Sequence, residues 1–221
     1  MLKLYTINTI TNFSEIIFEP FGKPFAKNNP DVEIYNIMDD SLLKDTTRSG
    51  GMTPTIAKRI LNYAVSAEQS GANGILVTCT SINEATQYVR HFLNIPIIGI
   101  EEPAAEQGVL AGKHIGVIAT LPTSPAAICR TIDHFAAEHC KTIQKTICIV
   151  DGAFDVLCSG NRALHDEMIN DALYKLSKEV DVIVFAQISM SLLKHEPIQT
   201  PICKIGNSGF EKIKELMTTK A

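Results

Sequence analysis

No apolar run in this chain approaches the ~20 residues that a helix needs to cross a bilayer. There is no basic stripe and no lysine-rich tail, and the net charge is only -4. Nucleic acid and anionic membrane surfaces are therefore not expected partners. No C-x-x-C pair occurs among the six cysteines, which removes the zinc-ribbon and thioredoxin patterns. His134 and His139 stand five apart rather than at the i, i+4 spacing of a helical metal pair, and no metal is expected. The start, Met1-Leu2-Lys3-Leu4, runs into a strand-like segment without the layout of a signal peptide, so a cytoplasmic protein is expected. Residue types that build a core are plentiful. Of 221 residues 45% are hydrophobic and only 20% charged, enough for one large domain or two small ones. Cys148 and Cys203 lie in apolar runs and are expected to be plain core residues.

The organising stretch is Gly74-Ile75-Leu76-Val77-Thr78-Cys79-Thr80-Ser81-Ile82. It reads as a short buried strand, a cysteine at its carboxyl end, and small hydroxyl residues that can open a helix. Val182-Ile183-Val184-Phe185-Ala186-Gln187-Ile188-Ser189-Met190 repeats it 108 positions later, with glutamine where the cysteine stood. Leu4 to Thr9 likewise resembles Ile115 to Thr120, and Ile95-Pro96-Ile97-Ile98 resembles Thr200-Pro201-Ile202-Cys203.

Strands are predicted at Leu2–Ile7, Val32–Ile37, Gly74–Thr78, Ile95–Ile100, His114–Ala119, Thr146–Val150, Val182–Phe185 and Pro201–Ile205. Helical spacing appears from Thr53-Pro54 to Gly71, over Ala126–His139 and Arg162–Ser177, and at Ser208–Met217. A shorter helix is expected with Ala85, Val89 and Phe92 on one face, and Met38 to Gly51 reads as a loop-like stretch with room for a short helix near Leu42. Ser124 is a candidate N-cap before Pro125.

Apolar strands alternating with helices give an α/β fold with parallel sheets covered on both faces. We expect two pseudo-symmetric flavodoxin-like domains. The first takes residues 1–100 plus 206–221 and the second residues 101–205. Strand order 2-1-3-4 in each half opens a crevice between its first and third strands. Asn8 to Asn12 and Cys79 to Asn83 then flank one crevice, and Thr120 to Ser124 and Gln187 to Ser191 flank the other. With the halves face to face, the active site is expected in the cleft between them.

Cys79 stands where a strand ends and a helix is expected to begin. Backbone N–H groups and a helix dipole there are expected to lower the thiol's pKa and to cradle a carboxylate. Thr80 and Ser81 add hydroxyl donors, as do Thr120 and Thr123 from the other half. Ile188 and Ser189 follow Gln187 as Thr80 and Ser81 follow Cys79, and join them as candidate substrate contacts. A thiolate beside an α-carbon can abstract a proton, return one, or add to a double bond. By position alone, Cys79 is equally a small core residue closing a strand.

Thr78-Cys79-Thr80-Ser81, Ala119-Thr120-Leu121-Pro122-Thr123 and the duplicated layout resemble the aspartate/glutamate racemase superfamily along essentially the whole chain. That group includes glutamate, aspartate and hydantoin racemases, maleate isomerase and arylmalonate decarboxylase. Glu101-Glu102-Pro103 and Asp151-Gly152-Ala153-Phe154 are similar to it as well. The resemblance implies a cofactor-independent isomerase of the racemase/epimerase type acting on a small aspartate- or glutamate-like carboxylate, with a homodimer expected by analogy. It also implies a pair of cysteines, one per half, on opposite faces of the α-carbon. Cys79 matches the first, and Gln187 falls where the second is expected. Glutamine does not titrate. One-base epimerisation, isomerisation through a cysteine adduct and decarboxylation stay open, as does a carboxylate-binding protein without turnover. Gln187 can instead orient a substrate carboxylate or amide.

Asn8 matches an asparagine that helps hold substrate in hydantoin-type relatives, and otherwise caps its loop. Arg48, in a polar loop before Gly50, reads as a solvated surface arginine, set against one that reaches an anionic substrate. For the pair His165-Asp166, helix capping by Asp166 is set against a proton relay. Glu101 and Glu102 read as acids at a helix N-terminus.

Overall fold

The computed structural model describes residues 1–122 and 124–219. The chain divides into two compact units, one of Met1–Glu102 with Gly206–Ala221 and one of Pro103–Ile205.

Unit 1 holds β1 (Leu2–Asn8), α1 (Lys23–Asn28), β2 (Val32–Met38), α2 (Ser41–Ser49), α3 (Pro54–Gln69), β3 (Gly74–Val77), α4 (Glu84–Val89) and β4 (Ile97–Gly99). All four strands are parallel, in the order β2-β1-β3-β4. β3 is a run of four buried residues, which only a sheet covered on both faces accommodates. Ile7, Ile75 and Val77 meet Ile60 and Ala64 of α3 and Ile82 and Ala85 beyond β3. A helix from the C-terminus covers the other face. A methyl group on Gly74 would fall 2.6 Å from Met217 Cγ, so that helix lies directly on the strand.

α3 begins as its sequence predicts. Pro54 sits in the first turn, and Thr53 Oγ1 accepts the Ile56 N–H at 3.3 Å. Gly71, with φ of 83°, terminates it. The helix near Leu42 is present as α2, and Leu42 is wholly buried and anchors it to the core. Ahead of α1 the chain forms a π-helical segment, Ser14–Gly22, that runs on into it. Phe92 lies beyond α4 in a 3₁₀ turn and is 67% exposed rather than packed with Ala85 and Val89.

Unit 2 begins within α5 (Glu102–Ala111) and continues with β5 (His114–Ala119), α6 (Ser124–Glu138), β6 (Gln144–Ile149), α7 (Ala153–Cys158), α8 (Arg162–Leu176), β7 (Val182–Phe185) and β8 (Ile202–Cys203). The order is β6-β5-β7-β8, again all parallel. Ile118, Ile183 and Phe185 pack against Ile169, Leu173 and Leu176 of α8. On the opposite face, a Cβ on Gly108 of α5 would lie 2.5 Å from Val184 Cγ2. Ser124 is the first residue of α6 and not its cap. The cap of α8 is Asn161, whose Oδ1 accepts the Leu164 N–H at 3.1 Å, so Asp166 does not cap it. The last helix, α9 (Asn207–Thr219), belongs to unit 1. Among the described residues no helix is long and apolar enough to cross a membrane.

Candidate active site

In unit 1 the chain leaves the switch point in opposite directions, from β1 towards β2 and from β3 towards β4. Loops diverge there and leave a crevice past the strand ends. Thr78 N–H donates to Ile7 O at 2.9 Å and ties the end of β3 to the end of β1. Cys79 comes next in an extended conformation, φ -128° and ψ 108°. The chain then makes one 3₁₀ turn, Thr80–Ile82, with Ile82 N–H donating to Cys79 O at 3.1 Å. Thr80 and Ser81 are both buried in this turn.

The surroundings of the Cys79 sulfur act in both directions. Burial pushes the thiol's pKa up. The Thr9 hydroxyl and the backbone N–H groups of Ser81 and Ile82 pull it down, and the negative charge of Glu101 pushes it up again. The net displacement is upward, opposite to the expectation from sequence. Two physical facts explain the reversal. Cys79 is succeeded by a single turn and a six-residue helix, too short to present a strong dipole. The thiolate also loses hydration that two amides do not replace. Although Cys79 keeps partial exposure as a residue, desolvation of the sulfur dominates. Thr9 Oγ1 is itself buried without a partner of good geometry, and it lies near enough to the sulfur to favour the thiolate.

Asn8 is wholly buried and its carboxamide is committed. The Nδ2 group donates to Asn36 Oδ1 at 2.5 Å and reaches Ile37 O at 3.5 Å, and Oδ1 accepts the Ile10 N–H at 3.2 Å. Asn8 thus fastens the end of β1 to β2 and shapes the loop that carries Thr9. Asn83 and Glu101 are also buried, and Asn83 Nδ2 donates to Glu101 Oε2. Neither they nor Thr9 stood out as site residues in the sequence. The pairing of Leu4–Thr9 with Ile115–Thr120 is the signal that could have found Thr9, since it sets Thr9 opposite the candidate Thr120.

The corresponding place in unit 2 is occupied by Gln187. Ala186 N–H donates to Ile118 O at 2.9 Å just as Thr78 N–H donates to Ile7 O, so Gln187 and Cys79 are topologically equivalent. Gln187 is extended, φ -145° and ψ 143°, and buried. Its Oε1 accepts the Thr120 backbone N–H at 2.5 Å and the Thr120 hydroxyl at 3.0 Å. A backbone N–H can only donate, so the amide orientation is fixed and the NH2 end is left as a donor. Ile188 and Ser189 are buried in the following 3₁₀ turn, and the hydroxyls of Ser189 and Ser191 are buried without partners. Thr123 lies outside the described residues.

His165 is wholly buried on α8. Its Nδ1 meets Asp166 Oδ1 at 2.7 Å, and that oxygen also accepts Arg162 Nε at 2.8 Å. Arg48 is 80% exposed and loosely paired with Asp45 at 3.4 Å. Cys203 is a core residue whose thiol burial pushes up to about 11. Cys148, expected to be buried, is only partly so, on an edge strand. Among the described residues no three His, Cys, Asp or Glu side chains come together as a metal ligand set.

A family model described as Asp/Glu/Hydantoin racemase matches residues 25–204. The chain belongs to the Asp/Glu/hydantoin racemase family. The family is one of racemases, which are isomerases. Solved structures with the same fold include allantoin racemase from Klebsiella pneumoniae, 15% identical, with a TM-score of 0.70 over 99% of this chain and 89% of that one. A putative Asp/Glu racemase from Yersinia pestis is 17% identical, with a TM-score of 0.70 over 100% of this chain and 99% of that one. A glutamate racemase from Bacillus anthracis, also 17% identical, has a TM-score of 0.70 over 100% of this chain and 83% of that one. At these identities the likeness is one of fold. No curated protein sequence matches the chain.

Proposed function

We propose that this member of the racemase family is an isomerase of the racemase/epimerase type. It moves the α-proton of a small carboxylate such as an aspartate- or glutamate-like acid, with Cys79 as the group that handles the proton. One observation carries the reading: Cys79 stands at the topological switch point of unit 1, with the Ser81 and Ile82 N–H groups and the Thr9 hydroxyl around its sulfur. Those donors favour the thiolate when it forms. Gln187 does not exchange protons. Thr120 holds its oxygen, and in this reading the NH2 group that remains as a donor takes a substrate carboxylate or carbonyl. Thr80 and Ser81, which follow Cys79 in unit 1, supply neighbouring substrate contacts in this reading.

The raised pKa of Cys79 bears on the mechanism. Burial favours the neutral thiol over the thiolate, so in this reading Cys79 is suited to returning a proton to the α-carbon. The test is α-proton exchange in deuterated water over a panel of amino acids, hydantoins and 2-substituted diacids. Exchange is expected with the parent and lost in Cys79→Ala. Exchange that persists in Cys79→Ala removes the cysteine from the chemistry. A one-cysteine lyase is the second reading, although in arylmalonate-type relatives the cysteine belongs to the second half, where this chain has Gln187; carbon dioxide released from a malonate in place of exchange would distinguish it.

A further inference from the structure

Glu101 is an acid in an unusual place. It follows β4 and is 1% exposed, where carboxylates are rarely found without a strong reason. In the register of β3 with β4, Val77 pairs with Gly99, and the Ile100 N–H continues the ladder to Val77 O at 2.9 Å. Both strands end there: Cys79 leads into the turn Thr80–Ile82, which Asn83 closes, and Asn83 Nδ2 donates to Glu101, so the carboxylate is tied to the turn that begins at Cys79. The carboxylate is also held from below. A Cβ built on Gly99 would lie 2.8 Å from Glu101 Oε1 and 2.7 Å from Asn83 Nδ2, so both groups fold over the bare glycine. Asn83 Nδ2 donates to the other carboxylate oxygen.

We propose that Cys79 and Glu101 form a coupled acid pair that carries a single negative charge between them through neutral pH, with Asn83 holding Glu101 in position. The inference rests on Cys79 as the reactive group of the proposed function, and it adds what governs that group. Two neighbouring acids in a poorly hydrated place cannot both ionise at ordinary pH. Transfer of the one proton from Sγ to Glu101 breaks an S–H bond and forms an O–H bond. The charge moves from oxygen to sulfur and none is created. A thiolate is thereby generated without burying a second charge, in a protein whose equivalent position in unit 2 is the non-titrating Gln187.

Titratable groups on the elements packed around the pair include Glu84 and Arg90 of α4 and its end, Glu102 of α5, Asp39 before α2, Asp45 on α2, and Arg59 and Tyr63 on α3. Glu102 is matched by Arg90 at 2.7 Å, and Asp39 is matched by Arg59 and Tyr63. Glu101 is the charge whose effect reaches Cys79. It is a positioning residue that acts through the sulfur.

The test is the pH profile of Cys79 alkylation by iodoacetamide in the full chain, read by mass spectrometry on the peptide that carries Cys79. In Glu101→Gln the midpoint is expected to fall, and alkylation at pH 7 quickens by up to about tenfold for every pH unit that the midpoint drops. Glu101→Asp keeps the charge and is expected to stay close to the parent midpoint. Alkylation of buried Cys203 is the control for folding. A Glu101→Gln midpoint equal to or above the parent's overturns the proposal. If Glu101→Gln does not fold, Gly99→Ala displaces the carboxylate without removing it, and the same downward movement is expected. An unmoved midpoint there also overturns it. The readout is titration and not turnover, so it fails or succeeds independently of the exchange assay.

Discussion

Asp39 joins the end of β2 to α2 and α3, and its ionisation is expected to contribute measurably to folding. Its carboxylate accepts hydrogen bonds from the Ser41 hydroxyl at 2.6 Å, the Ser41 N–H at 3.0 Å and the Tyr63 hydroxyl at 2.7 Å, and it pairs with Arg59. Burial works against the charge, yet these donors outweigh it and bring the pKa down to about 2. An ordinary aspartate titrates near 3.9, so the difference of about two pH units corresponds to roughly 2.5 kcal/mol. Asp39 is 12% exposed and Arg59 30%, so solvent screening reduces this to about 1–2 kcal/mol. The folded pKa is depressed. The contribution is therefore present above about pH 4 and is lost as pH falls through about 2. Asp39→Asn keeps the shape and removes the charge. The perturbation is read by urea denaturation followed by circular dichroism, parent against variant, at a series of pH values. The variant is expected to be less stable by about 1–2 kcal/mol at pH 7, with the gap closing between about pH 4 and pH 2. A gap that stays constant over that range would refute the charge-based account, because loss of packing alone does not depend on protonation. The site shares in the outcome, since the Asp39 N–H donates to Asn8 O at 3.0 Å, one residue before Thr9.

Thr120→Val removes one of the two donors that orient Gln187, and about 1 kcal/mol of substrate affinity is expected to go with it, seen as a roughly fivefold rise in KM with kcat little changed. Gly108→Ala places a methyl 2.5 Å from Val184 Cγ2 and is expected to lower stability by about 1–3 kcal/mol, measured as a fall in Tm. Thr53→Ala removes the N-cap of α3 and is expected to destabilise unit 1 by about 1 kcal/mol in the same assay. In competition for a thiol reagent at about pH 7.5, exposed Cys140 is expected to react well ahead of buried Cys203, with its pKa of about 11.

Much of the architecture could be read from residue order. Gly74 to Val77 and Val182 to Phe185 announce buried parallel strands because four consecutive apolar residues leave no face for water. Their repetition, with the repeated segments around Leu4 and Ile115, implied two sheets of one topology, and both sheets have the 2-1-3-4 order. Thr53-Pro54 marked the start of α3 because capping is a local interaction between residues three apart. Helix ends that depend on long-range packing were less legible. Burial of Leu42 extends a short helical suggestion into α2, and Phe92 has helical spacing yet faces solvent.

Sequence alone determined that a cysteine in one half and a glutamine in the other would occupy equivalent strand ends, because both positions are set by short-range strand periodicity. Tertiary structure decided the electrical character of that cysteine. Charge state depends on hydration and on neighbours brought in from distant parts of the chain, here Thr9 and Glu101, and neither quantity is encoded in the residues next to Cys79. Burial of the sulfur, which the fold imposes, turned an expected lowering of the thiol's pKa into a rise.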